Sequence, residues 1–165
     1  MIQIVIHGRG GQGAVKAAQL LALAASLQGK YSQAFPHFSV ERTGAPVESY
    51  CRISDEKILL RSQVYDADYA IVLDSSLMKI KNIKPRKAII VNSTIKKQDN
   101  FDATSIALSI LGKPIVNTAM LAVFLCFTDI LKKESLIKAC KEFFSEELSK
   151  KNIKIIEEVY NRLKK

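Results

Sequence analysis

Ile2, Ile4, Val5 and Ile6 crowd the first seven residues, as a buried strand requires, and a glycine-rich stretch follows at once. From Gln12 to about residue 27, Ala17, Leu20, Leu21 and Ala24 recur at helical spacing, with Gly29 as a natural stop. Residues 31–35 predict a second short strand, ended by Pro36. Strand–helix–strand implies a right-handed crossover and a parallel pair. Residues 37–46 are polar, irregular and flanked by prolines, which marks a loop. Val47, Ser49, Cys51 and Ile53 then alternate with Glu48, Tyr50 and Arg52, a strand with one more apolar face. Ser54-Asp55-Glu56-Lys57 has turn chemistry, and residues 58–60 are expected to return antiparallel as a hairpin.

Residues 69–73 and 88–91 are continuous apolar runs ending in Asp74-Ser75 and Asn92-Ser93-Thr94. Such runs predict buried parallel strands, with polar residues at the carboxyl ends where open α/β sheets place ligands. Residues 104–111 predict a short helix, stopped by Gly112 and Pro114. Asn117 or Thr118 is expected to cap the next helix, whose Met120, Leu121, Phe124 and Leu125 leave it apolar nearly all round and therefore buried. Two amphipathic helices follow, one carrying Leu136, Cys140, Phe143, Phe144 and Leu148, the other Ile153, Ile156, Tyr160 and Leu163. Their apolar faces cover the sheet or, for the last helix, a neighbouring subunit. The expected fold is α/β: a three-layer αβα Rossmann-like mixed sheet with an antiparallel hairpin and C-terminal helices, in one domain spanning 1–165.

Composition narrows the class. An apolar content of 48% with mixed charge fits a globular domain large enough to bury a core. The longest apolar run, residues 119–127, is about half the ~20 residues a membrane span needs. The N-terminus is strand-like and lacks a basic, apolar leader, so the expected location is cytoplasmic, with no membrane contact. The net charge of +9 comes from 25 Lys and Arg against 16 Asp and Glu. The excess is mainly scattered Lys, gathered only at Lys150, Lys151, Lys164 and Lys165 and not interleaved with aromatics, so a nucleic-acid platform is not expected. Cys51, Cys126 and Cys140 are far apart and lie in strand-like and helix-like segments, as small buried hydrophobes do.

The stretch with candidate chemistry is His7-Gly8-Arg9-Gly10-Gly11-Gln12-Gly13, set between the first strand and the first helix. Glycines let the backbone turn tightly against a ligand, and the helix N-terminus offers free N–H groups to an anion. The spacing of Gly8, Gly10 and Gly13 matches the dinucleotide fingerprint, but no Asp, Glu or Arg lies between Gly13 and Glu41 to meet a ribose or its phosphate. Ala14 and Val15 replace the Lys and Ser/Thr of a P-loop. Two readings stand together: Gly8, Arg9, Gly10, Gly11, Gln12 and Gly13 hold a cofactor's anion, or the glycines only let the helix pack closely. His7 points to the glycine loop or is a hydrogen-bonded structural histidine; neither His7 nor His37 has metal-ligand spacing. Glu41 and Arg42, in the Pro-flanked loop, either close over a ligand or seat a partner, or are simply solvated. Asp66 and Asp74 fit turn and strand-end positions better than acid–base work.

Segments in order along nearly the whole chain carry a family resemblance. They are Ile6-His7-Gly8-Arg9-Gly10-Gly11-Gln12-Gly13-Ala14; Gln33-Ala34-Phe35-Pro36 with Glu41-Arg42 and Gly44-Ala45-Pro46-Val47; Arg52-Ile53-Ser54; Leu60-Arg61-Ser62-Gln63-Val64-Tyr65; Asp68-Tyr69-Ala70-Ile71-Val72-Leu73-Asp74; and Gly112-Lys113-Pro114-Ile115-Val116-Asn117-Thr118-Ala119-Met120-Leu121. Together they resemble the gamma subunit of 2-oxoacid:ferredoxin oxidoreductases. The His-Gly-Arg loop and the Ala-Phe-Pro segment look more like pyruvate or branched-chain types than 2-oxoglutarate types. Ser39, Val40 and Thr43 depart from the Gly, Pro and Arg usual in the family, and the C-terminal half is short and Lys-rich.

The resemblance implies a role in converting pyruvate, coenzyme A and oxidised ferredoxin to acetyl-CoA, carbon dioxide and reduced ferredoxin. It implies partners of alpha, beta and delta type, with ferredoxin as the complex's acceptor. Thiamine diphosphate and iron–sulfur clusters would sit on those partners, and no cofactor would be bound tightly by this chain alone. Its own part would be assembly, and the seating of coenzyme A through the glycine loop. The alternatives are a branched-chain or 2-oxoglutarate enzyme of the same family and, in another class, a stand-alone Rossmann-like nucleotide-binding domain.

Overall fold

The structure is a computed structural model that describes residues 1–37, 44–95 and 100–164. Its strands are β1 (Ile2–Arg9), β2 (Tyr31–Pro36), β3 (Pro46–Ser54), β4 (Tyr69–Val72), β5 (Ala88–Asn92) and β6 (Asn100–Phe101). They form one mixed sheet in the order β2-β3-β1-β4-β5-β6. β1 runs parallel to β4, β4 to β5 and β5 to β6, whereas β3 is antiparallel to both β1 and β2. The helices are α1 (Ala14–Leu27), α2 (Ala103–Leu111), α3 (Asn117–Thr128), α4 (Lys133–Phe143) and α5 (Glu146–Leu163).

The mixed α/β sheet agrees with expectation, but two strand pairings differ. β2 follows the α1 crossover without pairing to β1, because β3 inserts between them. The antiparallel hairpin is therefore β2–β3, and residues 58–60 form no strand. Both edges of β3 are already taken, so a chain leaving Ser54 has no edge to pair with. Buried Arg52 instead uses the carbonyls of this stretch: Nη2 donates to Ser62 O (2.6 Å) and Gln63 O (3.3 Å), and Nη1 to Leu60 O (3.4 Å).

The layers are unequal. All five α-helices contribute to one apolar cluster with Ile4, Ile6, Cys51, Ile53, Ile71 and Ile90 from one face of the sheet. The opposite face, with Val5, Tyr50, Ala70, Val72 and Val91, meets only irregular chain and a short 3₁₀ turn, Ser75–Lys79. The expected third layer is thus thin. Residues 73–87, which connect β4 to β5, run as a 3₁₀ turn and irregular chain that bury Leu77 and half-bury Ile83 where a doubly wound fold would place a helix.

Smaller shifts have local causes. α1 begins at Ala14 rather than Gln12, since Gly11 (φ +93°) and Gly13 (φ +83°) are left-handed and cannot continue a helix. α3 begins at Asn117 itself, with Val116 in the cap position. Leu148 lies on α5, because the extended backbone at Phe144 ends α4. α3 is buried along nearly its whole length, as its apolar pattern requires. Cys51 and Cys140 are buried and Cys126 half-buried, all as free thiols. No described helix is long and apolar enough to cross a membrane.

Candidate functional site

β1 delivers Arg9 to the carboxyl end of the parallel strands, next to Asp74 just beyond β4. Arg9 Nε donates to Asp74 Oδ2 (3.1 Å), Nη2 to Ser76 Oγ (2.7 Å) and Nη1 to the Gly44 carbonyl (3.1 Å). Gln12 bridges the same groups: its Nε2 donates to Asp74 Oδ2 (3.1 Å), and its Oε1 accepts the Arg9 N–H (2.8 Å). Asp74 Oδ1 in turn accepts from the Ser76 amide (2.9 Å) and hydroxyl (2.6 Å). Partial burial works to raise the Asp74 carboxyl, but the bonds from Ser76 and Gln12 and the charge of Arg9 outweigh it, leaving it below the usual range.

The loop is pinned on its other side by backbone. Gly10 N–H donates to Ala45 O (2.9 Å), and Gly44 N–H to Gly10 O (3.3 Å). Gly8 serves close packing, since a Cβ there would lie 3.2 Å from Ala14 Cβ and 3.3 Å from Leu73 Cδ1. At Gly13 the positive φ is compounded by crowding, with Asn117 Nδ2 3.0 Å from where a Cβ would stand.

Clamped in this way, the loop leaves the first turn of α1 open. That helix has no side-chain cap and no acid in its first turn, and its first intrahelical bond is from Ala17 N–H to Gly13 O (2.9 Å). The amides of Ala14, Val15 and Lys16 therefore have no acceptor within the helix. They border a cleft of about 530 Å³ whose other lining residues include Arg9, Gly11, Val47, Ile115 and Asn117. Ile115 and Asn117 bring in the start of α3, where Asn117 Oδ1 accepts the Thr118 N–H (2.8 Å) of its own first turn. The free amides of α1 thus border a cleft whose lining, among the described residues, contains no acid and includes Lys16, with Arg9 beside it already paired to Asp74. Positive helix ends and cations together favour an anion.

The opposite face of the sheet holds a second polar group. Buried His7 points there, away from the helices, with Nδ1 3.5 Å from Glu48 Oε1. Glu48 also pairs with Lys81 and accepts from Tyr50 OH (3.0 Å), which lies 3.3 Å from His37 Nδ1. The His7 contact, opposed by burial and aided by Lys81, holds the Glu48 carboxyl far below the usual range. Burial, and then the Glu48 charge, push the Tyr50 phenol up. The two-residue alternation on β3 already placed Glu48, Tyr50 and Arg52 on one face, but nothing in sequence tied them to Lys81.

The six expected site residues, Gly8 to Gly13, gather at one end of the sheet, with the Arg9 and Gln12 side chains turned toward Asp74. Lys16 and the Ile115–Asn117 wall had not been singled out as site residues. Asp66 pairs with Arg86 (3.3 Å). Glu41 and Arg42, with Ser39, Val40 and Thr43, lie outside the described residues.

The family model for pyruvate ferredoxin/flavodoxin oxidoreductase matches residues 3–162. The chain belongs to that family. Pyruvate synthase subunit PorC of Methanocaldococcus jannaschii is 48% identical over 100% of this chain and 98% of that protein. The pyruvate/ketoisovalerate oxidoreductases common subunit gamma of Thermococcus kodakarensis is 45% identical, over 98% and 97%. Among solved structures, pyruvate oxidoreductase subunit PORC of Thermotoga maritima superposes with a TM-score of 0.82 at 32% identity, over 97% of this chain and 95% of that one. These pyruvate ferredoxin/flavodoxin oxidoreductase relatives bear out the resemblance read from the sequence: an α/β chain of gamma type, one subunit of a multi-subunit oxidoreductase.

Proposed function

We propose that this chain, as a single gamma-type domain, is the gamma subunit of a pyruvate:ferredoxin oxidoreductase and that its glycine-loop cleft seats phosphate of coenzyme A. The observation that carries the cleft's role is the set of free amides at the start of α1, bordering a cleft whose described lining holds Lys16 and Arg9 and no acid. Of the two organic reactants of this chemistry, pyruvate and coenzyme A, only coenzyme A carries phosphates, which suit N–H groups at a helix start. The pyruvate assignment follows the names of the PorC relatives at 44% to 48% identity. The shared gamma subunits of pyruvate and ketoisovalerate enzymes keep a branched-chain oxoacid as the second reading.

In this reading the electron pair released from pyruvate passes to ferredoxin through partner chains of alpha, beta and delta type. Those partners carry the thiamine diphosphate and the iron–sulfur clusters, which supply decarboxylation and electron transfer. Cys51, Cys126 and Cys140 stand apart, on β3, α3 and α4. A cytoplasmic location belongs to the same reading.

Within the chain, labour divides between backbone and side chains. Gly11 and Gly13 supply the left-handed turns that aim the α1 amides at the cleft. Gly8 lets that helix approach the sheet, Gly10 ties the loop to residues 44–45, and Arg9 and Gln12 fasten it to Asp74. Lys16 adds positive charge on the open side.

The test is the apparent affinity of the assembled complex for coenzyme A. Lys16→Glu is expected to raise the KM for coenzyme A about tenfold or more, with kcat and the KM for pyruvate little changed, since charge reversal in the first helical turn opposes both lysine and dipole effects. Arg9→Ala is expected to act in the same direction by loosening the loop. An unchanged KM for coenzyme A in both variants, with the complex intact, overturns the assignment.

A further inference from the structure

The helix-free face of the sheet is grooved. The 3₁₀ turn and the chain after it form a ridge, residues 78–81, with exposed Met78 and Ile80 (61% exposed) on it. On one side lies a groove of about 520 Å³, whose lining includes Met78, Ile89, Val91 and Ile95 with Lys79, and Asp74, whose carboxylate is taken up by Arg9, Gln12 and Ser76. On the other lies a groove of about 270 Å³, bordered by Val64, Tyr65, Ile83 and Lys84 with the paired Glu48 and Lys81, where Tyr65 is 87% exposed. Exposed apolar side chains clustered around grooves mark contact surfaces more often than ordinary solvated ones do.

The charges here are selective. No acid occurs from Ser75 to Ile95. Three cations of the region are answered within the chain: Lys81 by Glu48, Arg86 by Asp66 and Asp68, and Lys87 by Asp68. Lys79 and Lys84 have no carboxylate partner among the described residues, and each stands in one of the two grooves. An apolar ridge with an ammonium on either side that no described carboxylate pairs is complementary to an apolar patch flanked by carboxylates.

We infer that this face docks a partner subunit of the same oxidoreductase through such an acidic-rimmed apolar surface, with Met78 and Ile80 inserting and Lys79 and Lys84 pairing across the rim. The inference rests on the family reading of this chain as one subunit of several. The cluster of Glu48, His7, Tyr50 and Lys81 lies directly beneath and fixes the ridge to β1 and β3. The coenzyme A cleft opens beside α1 and α3, on the helical face, so the two surfaces can be perturbed separately.

The experiment purifies the complex through a tag on this chain, using wild type, Lys79→Glu/Lys84→Glu and Ile80→Asp, at graded salt. Each variant chain is also melted alone. The expected result is a wild-type complex whose partner chains carry thiamine diphosphate and iron, with partner recovery reduced at least tenfold in both variants at unchanged melting temperature. Salt should weaken the wild-type assembly in the same direction. Full recovery in both variants overturns the surface assignment while leaving the family reading intact. A wild-type chain that purifies alone overturns both, and a self-dimer abolished by the same substitutions overturns the heteromeric partner in favour of a second copy.

Discussion

Single positions in the glycine loop do different jobs, which only their geometry separates. Gly13 combines a left-handed backbone with a 3.0 Å approach to Asn117, so Gly13→Ala is expected to cost about 1–3 kcal/mol, measured by urea unfolding of the isolated chain. Glu48 is a second informative residue. Its carboxyl is held far below the ordinary Glu value of 4.5, so it contributes stability at neutral pH that is lost as pH falls through the acid range. Glu48→Gln is therefore expected to lower stability near neutrality and to flatten the decline in melting temperature between about pH 5 and pH 3. A wild-type slope in the variant would assign the acid sensitivity to other carboxylates, Asp74 first. The thiols sort by burial: burial pushes Cys51 and Cys140 up to about 12, whereas Cys126 is half-buried. A thiol reagent at pH 8 is expected to modify Cys126 first in the native chain, read by peptide mapping.

At the level of elements, the periodic segments could be read from sequence and the pairings could not. β1, β3, β4 and β5, and the buried helix α3, announce themselves through alternation or continuous apolar runs. Which strand lies beside which depends on contacts distant in the chain, and β3 takes the place next to β1 that the crossover rule assigned to β2. Residues 58–60 look strand-like in isolation, but the side chain of buried Arg52, with no carboxylate partner among the described residues, claims the carbonyls of Leu60, Ser62 and Gln63. That bond set is what holds residues 60–63 against the sheet. Arg52→Ala removes the donor of these part-buried bonds and is expected to destabilise by about 1–3 kcal/mol. Limited proteolysis should then cut first between residues 57 and 65. Cleavage elsewhere would show that the segment is held by other contacts.

Across the whole molecule, one face of the sheet is sealed by helices and the other by little more than loops. The glycine loop could be found from sequence because glycine spacing is local. The Asp74 clamp, the Asn117 wall and the Glu48 cluster join residues tens of positions apart, and their components look ordinary one at a time. That unequal covering suits a chain that completes itself against others, which agrees with its family. The most direct test is native mass spectrometry of the chain purified anaerobically from its own cells. The expected result is a complex with larger chains carrying thiamine diphosphate and iron–sulfur clusters, which gains mass on addition of coenzyme A. A chain that emerges alone, or with partners lacking those cofactors, would contradict its role as a subunit of a pyruvate:ferredoxin oxidoreductase.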